Sequence, residues 1–201
     1  MIHLRNILLG TKKIDTDLFL TMRHLNEYIT EKLKINSKVK THEFCPTTTQ
    51  ELEFLCEDLM NAGRFDLNCI DTSQIENMDC LFSNMNLDKV DISYWDVSNV
   101  KYMGGMFMHS VNFNSDLSRW DVSNVVDFES CFFGCTKLDF DVSNWDVSNA
   151  NSMSEMFYKC ESFTGKGLEN WKIDKKKLKH NGDMFYGCDS LKNIPSWYIE
   201  I

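Results

Sequence analysis

The apolar positions of this chain recur every 25 residues from about residue 65 to the C-terminus. The clearest copies begin at Trp95, Trp120 and Trp145 and read WDVSNV, WDVSNV and WDVSNA. A weaker copy, WKIDKK, begins at Trp171, and the matching pattern IDTSQI lies one period before the first tryptophan. Fixed-period self-similarity is the sequence signature of repeat proteins. The pattern therefore predicts about five structural units.

A second block in each unit has apolar or small residues at offsets 0, 3, 4 and 7, which is the spacing of one face of a helix. It reads Met78, Leu81, Phe82 and Met85, then Met103, Met106, Phe107 and Ser110, then Phe128, Cys131, Phe132 and Cys135, then Met153, Met156, Phe157 and Cys160. The fifth copy keeps Met184, Phe185 and Cys188, with Asn181 at the first offset. The block predicts about two turns of helix in each unit.

A third block precedes each tryptophan and reads DLN, DIS, DLS and DVS, starting at Asp66, Asp91, Asp116 and Asp141. Aliphatic residues between polar ones are typical of a short strand with one buried face. Each unit is therefore predicted to contain a short strand, a turn and a short helix.

Such a unit cannot bury its apolar side alone, so stacked neighbours are needed to complete a core. Stacking predicts structural ladders of residues one period apart. They are Trp95, Trp120, Trp145 and Trp171; Phe82, Phe107, Phe132, Phe157 and Phe185; and Asp71, Asp96, Asp121 and Asp146.

Residues 1–64 carry no repeat. Asp15 or Thr16 is placed to open a helix to about Lys34, which either packs beside the capping helix that follows or serves as a partner-docking or oligomerisation element. Thr48 with Glu51 is a capping-box pattern, and Gly63 is a helix stop, so a second helix is predicted between them as the N-terminal cap. The predicted division is residues 1–64, helical, and residues 65–201, repeats.

The motifs WDVSNV-x-x-M-x-x-M-F, from Trp95 to Phe107, and F-N-x-D-L-S-x-W, from Phe113 to Trp120, resemble the BspA-like leucine-rich repeat family, the mycoplasma-type surface-lipoprotein repeat. The resemblance extends over roughly residues 46–197. It implies an α/β repeat fold, a right-handed leucine-rich-repeat-like solenoid of about five 25-residue units with an N-terminal helical cap. Members are mostly described as adhesive or binding proteins, and the chain lacks their lipobox cysteine. We therefore expect a small member of the family that is intracellular or encoded by a phage or virus.

Composition limits the classes of function. Apolar residues make up 43% and charged residues 25%, as in a globular protein, and the net charge of −9 argues against binding to the nucleic-acid backbone. No apolar run approaches the roughly 18 residues of a membrane span, and the start MIHLRNILLG lacks a long signal region. We expect a cytoplasmic or virion-associated protein whose eight cysteines are reduced thiols.

No catalytic motif, zinc motif or phosphate loop is found, so the chain is predicted to be no enzyme and to bind no metal or cofactor. The aspartate ladder leaves two readings. Calcium could lie between neighbouring loops, or each carboxylate could accept backbone N–H groups two residues on, as the D-x-S spacing favours.

Positions that differ between copies are free of the demands of the core, and Tyr and Arg supply much of the energy at interfaces. We predict that Tyr94, Tyr102, Arg119 and Asn144 contact a partner. The predicted function is a protein–protein binding module; the alternatives are a structural subunit of a larger assembly, such as a phage or virus particle, and a surface adhesin. The basic run KKKLKH, 175–180, reads as a solvated edge or as a steering site for an acidic partner.

Overall fold

The computed structural model describes residues 42–199. Its one α-helix in this range is α1, Thr49–Asn61, and a single 3₁₀ turn spans Leu168–Asn170. The remaining described residues form turns and isolated parallel bridges. The helix predicted near residues 16–34 lies outside the described residues.

Helix α1 begins and ends where its sequence signals are. The Thr48 hydroxyl accepts the Glu51 N–H at 3.2 Å, while the Glu51 carboxylate accepts the Thr47 N–H at 2.8 Å. At the C-terminus, Gly63 has a φ of 79°, and its N–H donates to the Met60 carbonyl at 2.9 Å. The Arg64 N–H bonds back to the Leu59 carbonyl at 2.9 Å, completing a Schellman ending.

Helix α1 lies against the first unit of the repeat. It buries Leu52, Cys56 and Leu59, which are spaced on one face. The Thr49 hydroxyl donates to the carbonyl of Asn77 at 2.6 Å, a backbone group of the first unit. The helix thus covers apolar surface that the first unit would otherwise expose.

Successive units are joined by hydrogen bonds between residues about one period apart. A row of parallel bridges links Asn77, Tyr102, Asp127, Ser152 and His180 in turn. The last step is 28 residues instead of 25. Each unit therefore pairs with the next one along the chain, and the described repeats form a stack.

The predicted α/β fold, a right-handed leucine-rich-repeat solenoid, is wrong. In residues 42–199 the only α-helix precedes the repeats, and parallel pairing stops at single bridges, so no strand forms. The repeating unit is built of turns.

The block with offsets 0, 3, 4 and 7 is a series of turns because its N–H groups alternate between two destinations. The Met106 N–H bonds within its own unit, to the carbonyl of Met103 at 3.2 Å. The N–H groups of Gly105 and Phe107 bond instead to the next unit, each at 2.8 Å. Gly105 and His109 have φ values of 59° and 60°, which a right-handed helix excludes. We call this segment and its equivalents the turn block.

The predicted strand fails because turns lie on both sides of the tryptophan. The Trp95 N–H bonds to the carbonyl of Ile92 at 3.1 Å, and the Val100 N–H bonds to that of Val97 at 2.9 Å. Only two or three residues remain between the turns, which is too few for a ladder of strand hydrogen bonds.

Aromatic rings at equivalent positions fill the core. Phe107 stacks on Phe82 at 5.7 Å between ring centroids and on Phe132 at 5.3 Å. The indoles of Trp145 and Trp171 stack at 6.5 Å with an interplanar angle of 3°. These separations lie within the range that offset aromatic pairs prefer, so the stacked rings stabilise the contact between units.

Candidate functional site

The tryptophan side chains have a structural role, because they link neighbouring units. Each indole N–H donates to a carbonyl in the preceding unit: Trp95 to Leu67 at 3.0 Å, Trp120 to Ile92 at 3.2 Å, Trp145 to Leu117 at 3.0 Å, Trp171 to Val142 at 3.0 Å and Trp197 to Leu168 at 2.8 Å. The first four rings are buried. A buried indole needs such a partner, and these rings present no face to a ligand.

The aspartates of the WDVSN motif close their own turns. Asp96 accepts the Ser98 N–H at 3.0 Å, and the same bond recurs from Ser73 to Asp71, from Ser123 to Asp121 and from Ser148 to Asp146. Hydrogen bonds from the serine two residues on lower the pKa of Asp71 and Asp146. Residues 42–199 contain no group of three or more His, Cys, Asp or Glu side chains that could hold a metal ion.

In the three WDVSN motifs, the asparagine three residues after the aspartate links neighbouring turns. The side-chain amide of Asn99 donates to the Ser73 carbonyl at 2.8 Å, and that of Asn124 donates to Ser98 at 2.7 Å. Asn149 does the same to Ser123 at 2.7 Å. One carboxylate and one amide per unit thus satisfy backbone groups of successive turns.

One buried slot in the second to fifth turn blocks holds serine or cysteine, each of which is a small hydrogen-bond donor. The Ser110 hydroxyl donates to the Phe82 carbonyl at 2.7 Å. The thiols of Cys135, Cys160 and Cys188 donate to the equivalent phenylalanine carbonyls at 3.0, 3.0 and 2.9 Å. Treating cysteine as a small hydrophobe alone misses this bond.

Burial keeps these thiols protonated. It raises the pKa of Cys135 to about 12 and that of Cys188 to about 11. Since the thiolate is the nucleophile and the metal ligand, buried thiols of this kind are unreactive at neutral pH. Their arrangement fits a structural role.

The structure brings three of the four predicted partner residues into one column. Tyr94, Arg119 and Asn144 occupy the position just before the tryptophan in successive units, and all three are exposed. Tyr94 is 55% exposed, and the Arg119 guanidinium carbon lies 5.1 Å from the centroid of its ring. We call this set the Tyr94–Asn144 column.

Tyr102, the fourth predicted residue, belongs to a different row. It is 43% exposed and forms bridges with Asn77 and Asp127. Its backbone position is therefore fixed by pairing between units, separately from the column that Tyr94 begins.

A second surface row is aromatic and was missed from the sequence. Phe133 stacks on Tyr158 at 4.5 Å, and Tyr158 stacks on Tyr186 at 5.0 Å. Tyr186 is 59% exposed at the end of the row. The signal was available, because each of these residues follows the phenylalanine of its turn block.

The surface also has a shallow depression of about 360 Å³ between the second and third units. Its lining includes Asp91 and Asp116. These carboxylates accept turn N–H groups, from Ser93 and Ser118, both at 3.0 Å. The depression thus carries no pair of uncommitted acidic groups of the kind that acid–base chemistry uses.

Within residues 42–199, no helix has both the length and the apolar character that a membrane span needs.

Comparisons with known proteins identify one family. No curated protein and no solved structure matches the chain. A family model described as "Mycoplasma protein of unknown function, DUF285" matches residues 53–171, which is more than half of the 201 residues. The narrower relationship to BspA-like repeats stays a prediction. The chain belongs to the mycoplasma repeat-type family DUF285.

Proposed function

We propose that the chain is a non-enzymatic protein-binding module and that the Tyr94–Asn144 column is its binding surface. The observation that carries the proposal is the pair formed by Tyr94 and Arg119, which lie exposed side by side. The recurring tryptophans, aspartates and asparagines, by contrast, hydrogen-bond within the protein.

The pair has the chemistry of an interface hot spot. Tyrosine and arginine are enriched among residues that lose more than about 2 kcal/mol of binding energy when truncated. The guanidinium of Arg119 lies over the ring of Tyr94, in the range of a cation–π contact. Two side chains that hold each other in place lose less conformational entropy when a partner binds.

The backbone of the column is also held in place by neighbouring residues. The Tyr94 N–H donates to the Asn68 side chain at 2.8 Å, and the next residue is the buried Trp95. The position before each tryptophan is thus held on a rigid backbone, while its side chain is free to differ from unit to unit. That combination favours a surface for recognition.

The experiment that tests the proposal is an affinity capture from a lysate of the organism that encodes the chain, followed by binding measurements with the purified partner. The variant Tyr94→Glu/Arg119→Glu is expected to weaken the partner's affinity by at least about tenfold, because it removes both hot-spot side chains. Ile194→Glu is the matched control, since Ile194 is also 55% exposed but lies outside the column.

The proposal fails if the double variant binds the purified partner as tightly as the wild type does, or if the control loses as much affinity. Tyr102→Ala then asks whether the bridge row takes part. A loss similar to that of the double variant would extend the surface to both rows, whereas an unchanged affinity would confine it to the Tyr94–Asn144 column.

A further inference from the structure

The fifth unit carries a concentration of positive charge. Five lysines lie within eight residues, 172–179, with Asp174 as the one acidic residue among them. All five are exposed, and we call them the basic patch: Lys172, Lys175, Lys176, Lys177 and Lys179. A basic patch stands out on a chain whose net charge is −9.

Two of the lysines, Lys176 and Lys177, occupy turn positions that the preceding units give to serine and asparagine. Asp174 accepts the N–H of Lys176 at 2.9 Å, as Asp146 accepts that of Ser148. The ammonium of Lys177 donates to the Asn149 side chain at 2.6 Å. The turn is therefore kept with lysines in place of serine and asparagine, so the fold does not account for this choice of charge.

No lysine of the basic patch forms an ion pair within the described part of the chain. The ion pairs found there involve other basic residues, such as Lys101 with Glu76 at 2.8 Å and Lys166 with Asp141 at 2.7 Å. Besides the hydrogen bonds from Ser148, the charges of Lys172 and Lys177 contribute to the lowered pKa of the Asp146 carboxyl. Since no ion pair forms, the patch still presents net positive charge to an external partner.

A long polyanion does not suit the patch. The preceding units present Asp146, Asp121 and Asp96 on their surface, all exposed. An extended anion that continued along the stack would meet these like charges, which is unfavourable. A short acidic element that contacts the fifth unit alone fits better.

Helix α1 is such an element, and it lies at the other end of the stack. Its 13 residues, TQELEFLCEDLMN, include four acidic residues and no lysine or arginine. Asp58 is exposed, and Glu57 is partly exposed. One molecule thus has an acidic element against its first unit and a basic patch on its fifth.

We propose that the chain associates head to tail, with helix α1 of one copy bound at the basic patch of the next. The two surfaces differ, so the contact is heterologous and leaves a free end on each side, which allows short open chains of subunits. The association is electrostatic and is weakened by salt. It does not depend on the Tyr94–Asn144 column.

The test is sedimentation velocity of the full chain over a range of protein and salt concentrations. At about 20 mM salt, the weight-average mass is expected to rise with protein concentration above the monomer mass of 23.5 kDa. At about 300 mM salt it returns towards the monomer. A wild-type chain that stays monomeric at low salt and high concentration overturns the proposal.

Two charge-reversal variants probe the two surfaces. Lys175→Glu/Lys176→Glu and Glu57→Lys/Asp58→Lys are each expected to raise the dissociation constant by at least about tenfold, because each leaves equal numbers of acidic and basic residues on its surface and removes the attraction. In an equimolar mixture, the unchanged helix of the patch variant can meet the unchanged patch of the helix variant, so the mixture is expected to form a one-to-one complex.

The control Lys137→Glu/Lys159→Glu changes the net charge by the same amount on exposed lysines of the third and fourth units and should leave association unchanged. Thermal unfolding shows that each variant is folded. The proposal is overturned if the control disperses the oligomer as well, if the helix variant still associates like the wild type, or if the mixture of folded variants does not associate.

Discussion

Trp120 shows how one side chain serves both packing and hydrogen bonding. Its ring is buried, and its N–H donates to the carbonyl of Ile92 in the preceding unit at 3.2 Å. Phenylalanine fills much of the same volume but has no donor, and a buried carbonyl without its partner costs about 1–3 kcal/mol.

We therefore expect Trp120→Phe to lower the free energy of unfolding by about 1–3 kcal/mol, measured by urea denaturation. Trp197→Phe is the matched control, because its indole makes the equivalent bond to Leu168 at a partly exposed site. Its loss should be smaller, since water can replace the missing donor there. Equal losses in the two variants would contradict this account.

The buried cysteine slot links stability to pH. Burial raises the folded-state pKa of Cys135 from 9.0 to about 12. A folded pKa above the unfolded value means that the folded state holds its proton more tightly. The protonated Cys135 thiol therefore contributes to the free energy of unfolding. This contribution is fully present below pH 9 and is lost as the pH rises through about 12.

Cys135→Ser removes this titration and keeps a hydroxyl donor of the kind that Ser110 provides in the same slot. Urea midpoints of the wild type and the variant should differ by a constant amount from about pH 7 to pH 8.5. Above that range the wild type should lose stability faster than the variant. Parallel curves up to about pH 10 would show that folding does not raise the pKa of Cys135.

At the scale of elements, the sequence predicted positions better than conformation. The offsets 0, 3, 4 and 7 identified residues that are buried, including Met103, Met106 and Phe107. The same offsets also fit a chain of turns, because i-to-i+3 hydrogen bonds bring the same side chains inward. The choice between a helix and a chain of turns depends on whether every second N–H group bonds to the next unit. Hydrophobic periodicity carries no information about this.

The left-handed positions of the turn block were a usable but weak signal. At the last left-handed position of the turn block, two of the five copies have glycine, Gly134 and Gly187. The other three copies adopt the same conformation with Asn84, His109 and Lys159. A side chain at a left-handed position costs about 1–2 kcal/mol. The stacking of units imposes a conformation that several of these residues disfavour.

Lys159 offers a direct measure of that cost. Its φ is 54°, so Lys159→Gly should raise the free energy of unfolding by about 0.5–1 kcal/mol, after the larger unfolded-state entropy of glycine is subtracted. Lys159→Ala keeps the strained conformation and is expected to give no such gain. Chemical denaturation of both variants decides the matter; a gain for alanine as large as that for glycine would point to removal of the lysine charge.

For the whole molecule, the period was the most informative part of the sequence. It located the repeats, and the positions that differ between copies pointed to Tyr94 and Arg119, which the structure places in contact. The period also aligns Phe133, Tyr158 and Tyr186, but the sequence interpretation did not use this, and the structure shows that the three rings stack. The period did not determine the fold class. A 25-residue period fixes which residues align between units but does not specify the backbone conformation between them.

Register of the stack is therefore the property to test on the whole molecule. Deletion of residues 121–145 removes one period, 145 − 121 + 1 = 25 residues, and joins Trp120 to the DVSN of the next unit. Leu117 then takes the place of Val142 as acceptor for Trp171. We expect cooperative unfolding in urea, with an m-value lower by about a fifth because less surface is buried.

The control deletion, residues 121–144, removes 144 − 121 + 1 = 24 residues and shifts every later position by one. Buried and exposed side chains then no longer align between units, and the Trp171 indole loses its carbonyl acceptor. This variant should show no cooperative transition in tryptophan fluorescence. If it unfolds as cooperatively as the 25-residue deletion, the units do not depend on side-chain register, and the stacked ladders are not what holds the molecule together.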